Sequence, residues 1–206
     1  MGRDTELVIL FADVVGSTRL FELLGDVRAR DMVTSCVDVM RRACDQHEGR
    51  VIKTMGDEVM AVFPRCDDAL DAAAQMQAEI DVHPDLMVEG QRVAIRIGAH
   101  YGPVVLEERD VFGAAVHTAN RMTSQAKAGQ IIVTDTLIRH ASEEWRGCAR
   151  MLDVSVPRGQ HGEVGVFEVL WRREGATSLL PAIATLTEQH RPFQLRLRYG
   201  EKEVTP

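Results

Sequence analysis

Residues 6–12 are almost continuously apolar. A run this short and dense predicts a strand buried on both faces. After Asp13 the period changes. Val27, Met32, Val33, Cys36, Val37, Met40 and Cys44 recur at three-to-four spacing. That predicts helix over 17–47, broken at Gly25-Asp26 and C-capped at Gly49. Gly16-Ser17-Thr18 reads as the turn that starts it, with hydroxyl caps. Strands at 50–54 and 59–63 flank a tight turn at 55–58, and Pro64 stops them. Residues 67–81 hold strong helix formers with acids in the first turn. Pro84 and Gly90 bound a loop. Residues 91–98 alternate as a strand. After the turn signal at 100–103, residues 104–107 are predicted to pair back on it. A helix over 114–126 ends at Gly129. A strand at 131–134, a short helix at 136–141 and a strand pair near 149–156 and 164–171 follow.

This order contains a βαββαβ core. The predicted fold class is therefore α+β: a ferredoxin-like βαββαβ core with added helices and a C-terminal strand pair. Residues 1–172 form the expected globular domain. The character changes at Arg172. Residues 172–192 show no period, contain Pro181 and Pro192, and read as a linker. Residues 193–199 then alternate cleanly, as the first strand of a following domain would, or as a tail packed back on the first one.

Composition narrows the function classes. Hydrophobic residues make up 45% and charged residues 27% of the 206 positions, which suits an ordinary globular protein. The formal net charge of −7 argues against a nucleic-acid partner, which would need a basic face. It leaves room for one nucleotide site, which needs only a few local positive groups and backbone N–H donors. The four cysteines form no C-x-x-C pair and read as buried free thiols of a reducing compartment. With no signal peptide and no apolar run long enough to span a bilayer, the expectation is a cytoplasmic chain without a membrane segment.

The candidate chemistry sits at turns. Asp13 and Asp57 each lie at a strand end or turn, where a carboxylate can face a cleft and help hold Mg²⁺ with substrate phosphates. Val14-Val15-Gly16-Ser17-Thr18 is a strand-to-helix turn whose free N–H groups could cradle phosphate. On composition alone, two turn aspartates and a plain helix cap are the better explanations of both features.

Context separates the two readings. Phe11-Ala12-Asp13-Val14-Val15-Gly16-Ser17-Thr18 resembles the opening motif of class III adenylyl and guanylyl cyclases. The segment from Lys53 to Ala61, containing Met55-Gly56-Asp57-Glu58, resembles their second motif. Arg96-Ile97-Gly98 resembles the third. Asp110-Val111-Phe112-Gly113 with Val116-His117-Thr118-Ala119-Asn120-Arg121 resembles the fourth. Gly129-Gln130-Ile131 follows at family distance. The likeness runs from about residue 6 to about residue 171.

The resemblance implies an adenylate cyclase that converts ATP to 3′,5′-cyclic AMP and pyrophosphate. By resemblance, Asp13 and Asp57 bind two Mg²⁺ or Mn²⁺ ions, with the Val14 carbonyl as a further ligand. Backbone N–H groups of Val15, Gly16, Ser17 and Thr18 hold phosphates. Lys53 and Asp110 select adenine, whose N1 accepts and whose N6 amino group donates. Arg121 stabilises charge on the α-phosphate, a role suited to a planar, permanently charged donor. Arg158 corresponds loosely to a basic triphosphate contact. His117 stands where the family usually has an asparagine that orients the ribose. Its ring can still donate or accept one hydrogen bond. The resemblance also implies a head-to-tail homodimer with two sites at the subunit interface, Asp13 and Asp57 of one protomer acting with Lys53, Asp110, His117 and Arg121 of the other. The alternatives are a weakly active or non-catalytic nucleotide-binding regulatory domain and a cyclase of other base preference. A diguanylate cyclase is excluded by the absence of its Gly-Gly-acid-acid-Phe turn.

Overall fold

Strand β1 (Arg3–Val14) runs through the middle of the molecule. The computed structural model describes residues 2–108, 110–155 and 164–172, with backbone alone for 153–155. Residues 1–172 form one compact unit. Residues 156–163, with Arg158, and the stretch from 173 onward, with the expected linker and strand at 193–199, lie outside the described residues.

Val8, Leu10, Ala12 and Val14 of β1 enter the larger core cluster, while Ile9 and Phe11 enter a second cluster on the opposite face. That is why the run is apolar without alternation: both faces of this strand are covered. Next come α1 (Ser17–Leu24), α2 (Asp26–Gln46), β2 (Arg50–Met55), β3 (Glu58–Phe63) and α3 (Cys66–Val82). Gly25 joins the first two helices at φ 74°, as the predicted break requires. A small hairpin of β4 (Met87–Val88) and β5 (Gln91–Arg92) precedes β6 (Ile95–Leu106) and β7 (Val111–Phe112). Helix α4 (Ala114–Gln125), β8 (Ile131–Thr134), α5 (Asp135–His140), α6 (Glu143–Gly147), β9 (Ala149–Ser155) and β10 (Val164–Val169) complete the described chain.

The main sheet has the order β2-β3-β1-β6-β8-β10-β9, with β7 paired to β6. Each neighbouring pair in β2-β3-β1-β6 is antiparallel, the ferredoxin-like arrangement. β8 extends it in parallel with β6, and β10 and β9 continue antiparallel. The expected α+β class and core are those of the structure.

Local expectations needed correction where glycine and proline were read as turn signals. Residues 91–98 and 104–107 do not form a hairpin. β6 is one strand, paired to β1 at every position from Arg3↔Leu106 to Val14↔Ile95. The hairpin lies earlier, closed by Glu89 and Gly90 at φ 50° and 78°, as a primed turn demands. Pro103 is tolerated because the second edge of β6 is open there, between β8 and β7. Gly98 is small because α4 crosses it: a Cβ would lie 2.0 Å from the main-chain nitrogen of Thr123. Gly49 is likewise a packing glycine, pressed by the Phe63 ring. His47 caps α2, and Glu48 takes the left-handed conformation. No hydroxyl caps α1: its N-cap is Gly16 in the left-handed region.

Cys36, Cys44, Cys66 and Cys148 are buried and unbridged, as expected. Burial pushes the first three thiols up to about 12. Because the thiolate is the reactive species, these three should resist a thiol-specific colorimetric reagent at mildly alkaline pH and react once denaturant is added. Fast labelling of any of the three in the native protein would contradict this packing.

Candidate active site

The strand ends carry the acids. Met55 faces Glu58 across the β2–β3 turn, and Gly56 enters the turn at φ 65°, which leaves Asp57 at its tip. The Val14 N–H donates to the Asp57 carbonyl at 3.3 Å. The Val15 N–H donates to the Ala94 carbonyl at 2.9 Å. Backbone bonds thus strap the end of β1 between the β2–β3 turn and the start of β6. They bring Asp13 beside Asp57 although the sequence separates them widely.

In register, Asp13 lies between Glu58 of β3 and Arg96 of β6. Both Nε and Nη2 of Arg96 donate to Asp13 Oδ2, at 2.7 and 2.6 Å. Burial pushes the Asp13 carboxyl above the ordinary carboxylate range. The Arg96 hydrogen bond opposes that rise and the charge of Asp57 adds to it. Glu58 is raised as well, first by burial and then by Asp13 and Asp57. The Asp57 side chain makes no hydrogen bond or ion pair with a described residue. Negative charge is therefore concentrated here beyond what Arg96 offsets.

The phosphate-type turn is only partly as expected. Val15 has already spent its N–H on Ala94, so it is not a free donor. Gly16, Ser17 and Thr18 remain, with Ser17 and Thr18 in the first turn of α1, where N–H groups have no intrahelical partner.

The second group of residues sits on β2, the β6–β7 loop and α4. The ammonium of Lys53 donates to both carboxylate oxygens of Asp110, at 3.0 and 3.3 Å. The Val111 N–H donates to Asp110 Oδ1 at 2.8 Å, and the Asp110 carbonyl accepts from Glu107 at 2.9 Å. The loop is thereby closed and the carboxylate aimed. The Lys53 hydrogen bond, with help from that of Val111, holds the Asp110 carboxyl below its usual range. His117 and Arg121 stand one turn apart on the same side of α4. Neither makes a hydrogen bond or ion pair with a described residue. The opposite side of the helix buries Ala115, Ala119 and Met122.

Reading the sequence missed the roles of Arg96 and Glu58. Their signal is positional: they fall level with Asp13 on neighbouring strands, which is visible only once the strands are paired. Three further histidines serve as a cap, a loop residue and a packing residue. His47 caps α2, His83 accepts from the Asp85 N–H, and His100 meets Thr134 Oγ1 at 2.8 Å, with burial lowering its pKa to about 4.

The fold defines the class, a class III nucleotidyl cyclase catalytic domain. Residues 1–168 match the family described as "Adenylate and Guanylate cyclase catalytic domain", and the chain belongs to that family. An adenylate cyclase of Anabaena cylindrica is 29% identical over 182 residues, covering 79% of this chain and 36% of that protein. An adenylate cyclase of Streptomyces coelicolor is 33% identical over 132 residues, covering 63% and 32%. The crystal structure of an adenylate/guanylate cyclase/hydrolase from Silicibacter pomeroyi is 25% identical with a TM-score of 0.72, covering 82% of this chain and 99% of that one. That of the adenylyl cyclase CyaB from P. aeruginosa, at 20% identity, TM-score 0.70 and coverage of 85% and 99%, shares the fold. The chain spans well under half the length of the curated relatives it matches: 22%, 18% and 36% of three of them. Among the described residues no helix is long and apolar enough to cross a membrane.

Proposed function

We propose that residues 1–172 are the catalytic domain of an adenylate cyclase, which forms 3′,5′-cyclic AMP and pyrophosphate from ATP in a head-to-tail homodimer. The observation that carries this reading is the Lys53–Asp110 pair, brought together across 57 positions. Lys53 can donate to adenine N1, and Asp110 can accept from the N6 amino group. Guanine presents the reversed pattern at that edge and would leave mismatched groups desolvated.

Asp13 and Asp57 fit a hard divalent cation, Mg²⁺ or Mn²⁺, because their like charges meet in a partly buried corner. Among the described residues no set of three or more His, Cys, Asp or Glu side chains could hold a metal. The remaining ligands are then the Val14 carbonyl, water and substrate phosphates, and two ions per site suit a carboxylate pair of this kind. Such ions, when bound, activate the ribose 3′-hydroxyl and offset the charge of the leaving pyrophosphate. The chain's own residues do the rest. Gly16, Ser17 and Thr18 donate N–H groups to phosphate. Arg121 donates to the α-phosphate as the 3′-oxygen attacks and pyrophosphate departs. His117 orients the ribose through a ring nitrogen. Arg158 is the proposed further triphosphate contact.

Support for a second protomer comes from exposed apolar residues at the site. Met55 lies between Lys53 and Asp57, and Phe112 lies two positions after Asp110, at 44% and 50% exposure. Covering them is a natural task for an identical subunit carrying the complementary half-site.

Parallel incubation with ATP, GTP, CTP and UTP, with Mg²⁺ and with Mn²⁺, tests the reading. Cyclic AMP from ATP, with other cyclic products at least about tenfold lower, is expected from a mismatch of ~1.4 kcal/mol or more. No cyclic product from a dimeric sample would overturn it in favour of a nucleotide-binding regulatory domain.

A further inference from the structure

A cavity of about 660 Å³ opens between α3, the β5–β6 connection and the end of β10. Its size falls within the range of small-molecule sites. Gln77 lines it and is only 3% exposed. The Gln77 amide nitrogen donates to the carbonyls of Ile95 and Gln130, at 3.3 and 3.2 Å. Its amide oxygen therefore points elsewhere, and it accepts from no described residue. A buried acceptor without a donor is costly and marks a place for one.

The charges of the lining are unequal in their commitments. Asp81 is paired with Arg172, and Glu168 with Arg150 at 2.6 Å. Arg92 has no ion-pair partner among the described residues. The free charge is positive. Val93, Val169 and Trp171 add apolar surface to the lining.

One wall of this cavity is also a strut of the active site. Residues 92–94 line it, the Ala94 carbonyl accepts the Val15 N–H, and Arg96, two residues on, grips Asp13. We propose that the cavity is a regulatory site for a small carboxylic acid with a ring-sized apolar body and a hydroxyl group. The carboxylate meets Arg92, the hydroxyl donates to Gln77 Oε1, and occupancy is passed to the Val15 turn through Ala94. That this regulates catalysis rests on the cyclase reading. The binding does not.

The test is amide NMR on the isotope-labelled full chain, titrated with 4-hydroxybenzoate and 4-hydroxyphenylacetate. At least one should saturate with a Kd of about 1 mM or tighter, shifting the amides of Gly129 and Leu170, and that of Val15. Benzoate and phenylacetate, which lack the donor, should bind at least about tenfold more weakly. Arg92→Gln should cost about tenfold or more, and Ala128→Phe, at an exposed position on the cavity lining, should abolish binding. Both positions are exposed, and the same spectra report whether the variants stay folded. No saturable binding by either hydroxy acid, equal binding of the donor-free acids, or full binding to Ala128→Phe would overturn the site. Saturable binding with a stationary Val15 amide would overturn the regulatory link. Cyclic nucleotide formation enters none of these readouts, so an inactive chain decides the matter equally well.

Discussion

Asp57→Ala is expected to lower cyclic AMP formation at least about a thousandfold, since charge stabilisation by a carboxylate-held cation is worth several kcal/mol and each ~1.4 kcal/mol is a factor of ten. The fold should survive. The strap to Val14 uses the main-chain carbonyl of residue 57, which alanine keeps, and the Asp57 carboxylate has no hydrogen bond with a described residue to lose. Stability supplies a second readout. Burial first, and Asp57 among the further causes, raise the folded-state pKa of Asp13 and of Glu58. A carboxyl with a raised pKa binds its proton more tightly when folded. Its contribution to stability is thus greatest in acid and declines as pH rises from the ordinary carboxylate value through the raised one. Removing Asp57 removes part of that decline. At neutral pH the variant should therefore melt at or above the temperature of the parent chain. An inactive variant that melts many degrees lower would make Asp57 a structural residue instead. Asp13→Ala is the less informative choice, because it leaves Arg96 without its partner.

Gly98→Ala is expected to be among the most destabilising single-methyl additions in the molecule. The added carbon would sit 2.0 Å from the Thr123 nitrogen and 2.6 Å from the Met122 carbonyl carbon. Both are helix backbone, which cannot rotate aside as a flexible side chain can. The helix or the strand must shift. Overpacking of this kind costs about 1–3 kcal/mol and sometimes more. With α4 pressed against β6, the expected loss is about 3 kcal/mol, or roughly 6–12 °C in Tm for a domain of this size. Because α4 carries His117 and Arg121, the surviving folded fraction should also turn over more slowly. Calorimetry decides it: a Tm within about 2 °C of the parent's would show that α4 does not crowd β6 as closely as this geometry requires.

Much of the architecture was legible in the chain. The apolar run at 6–12 reads as a strand covered on both faces, and the three-to-four spacing after Gly25 suits a helix with one buried side. The helix break, the β2–β3 turn and the βαββαβ order follow from such local rules. They also place Asp13, Asp57 and the Gly16 turn at the ends of elements, where a site can form. The order of four motifs was enough to indicate the family.

Other features depended on tertiary pairing. Gly102 and Pro103 look like turn residues because local propensity records only what a residue permits. They lie inside one long strand because a crossing helix demands small residues and an open strand edge tolerates proline. Val15 carries an N–H like any other residue of its turn, and only the approach of Ala94 takes it out of service. Arg96 and Glu58 were invisible as site residues because register between distant strands is a property of the sheet. The meeting of Lys53 with Asp110, and of Asp13 with Asp57, has the same origin. Local sequence sets periodicity, turns and motif identity through short-range sterics and burial. The juxtaposition of charges far apart in the chain is decided by strand order and packing, which no short window contains.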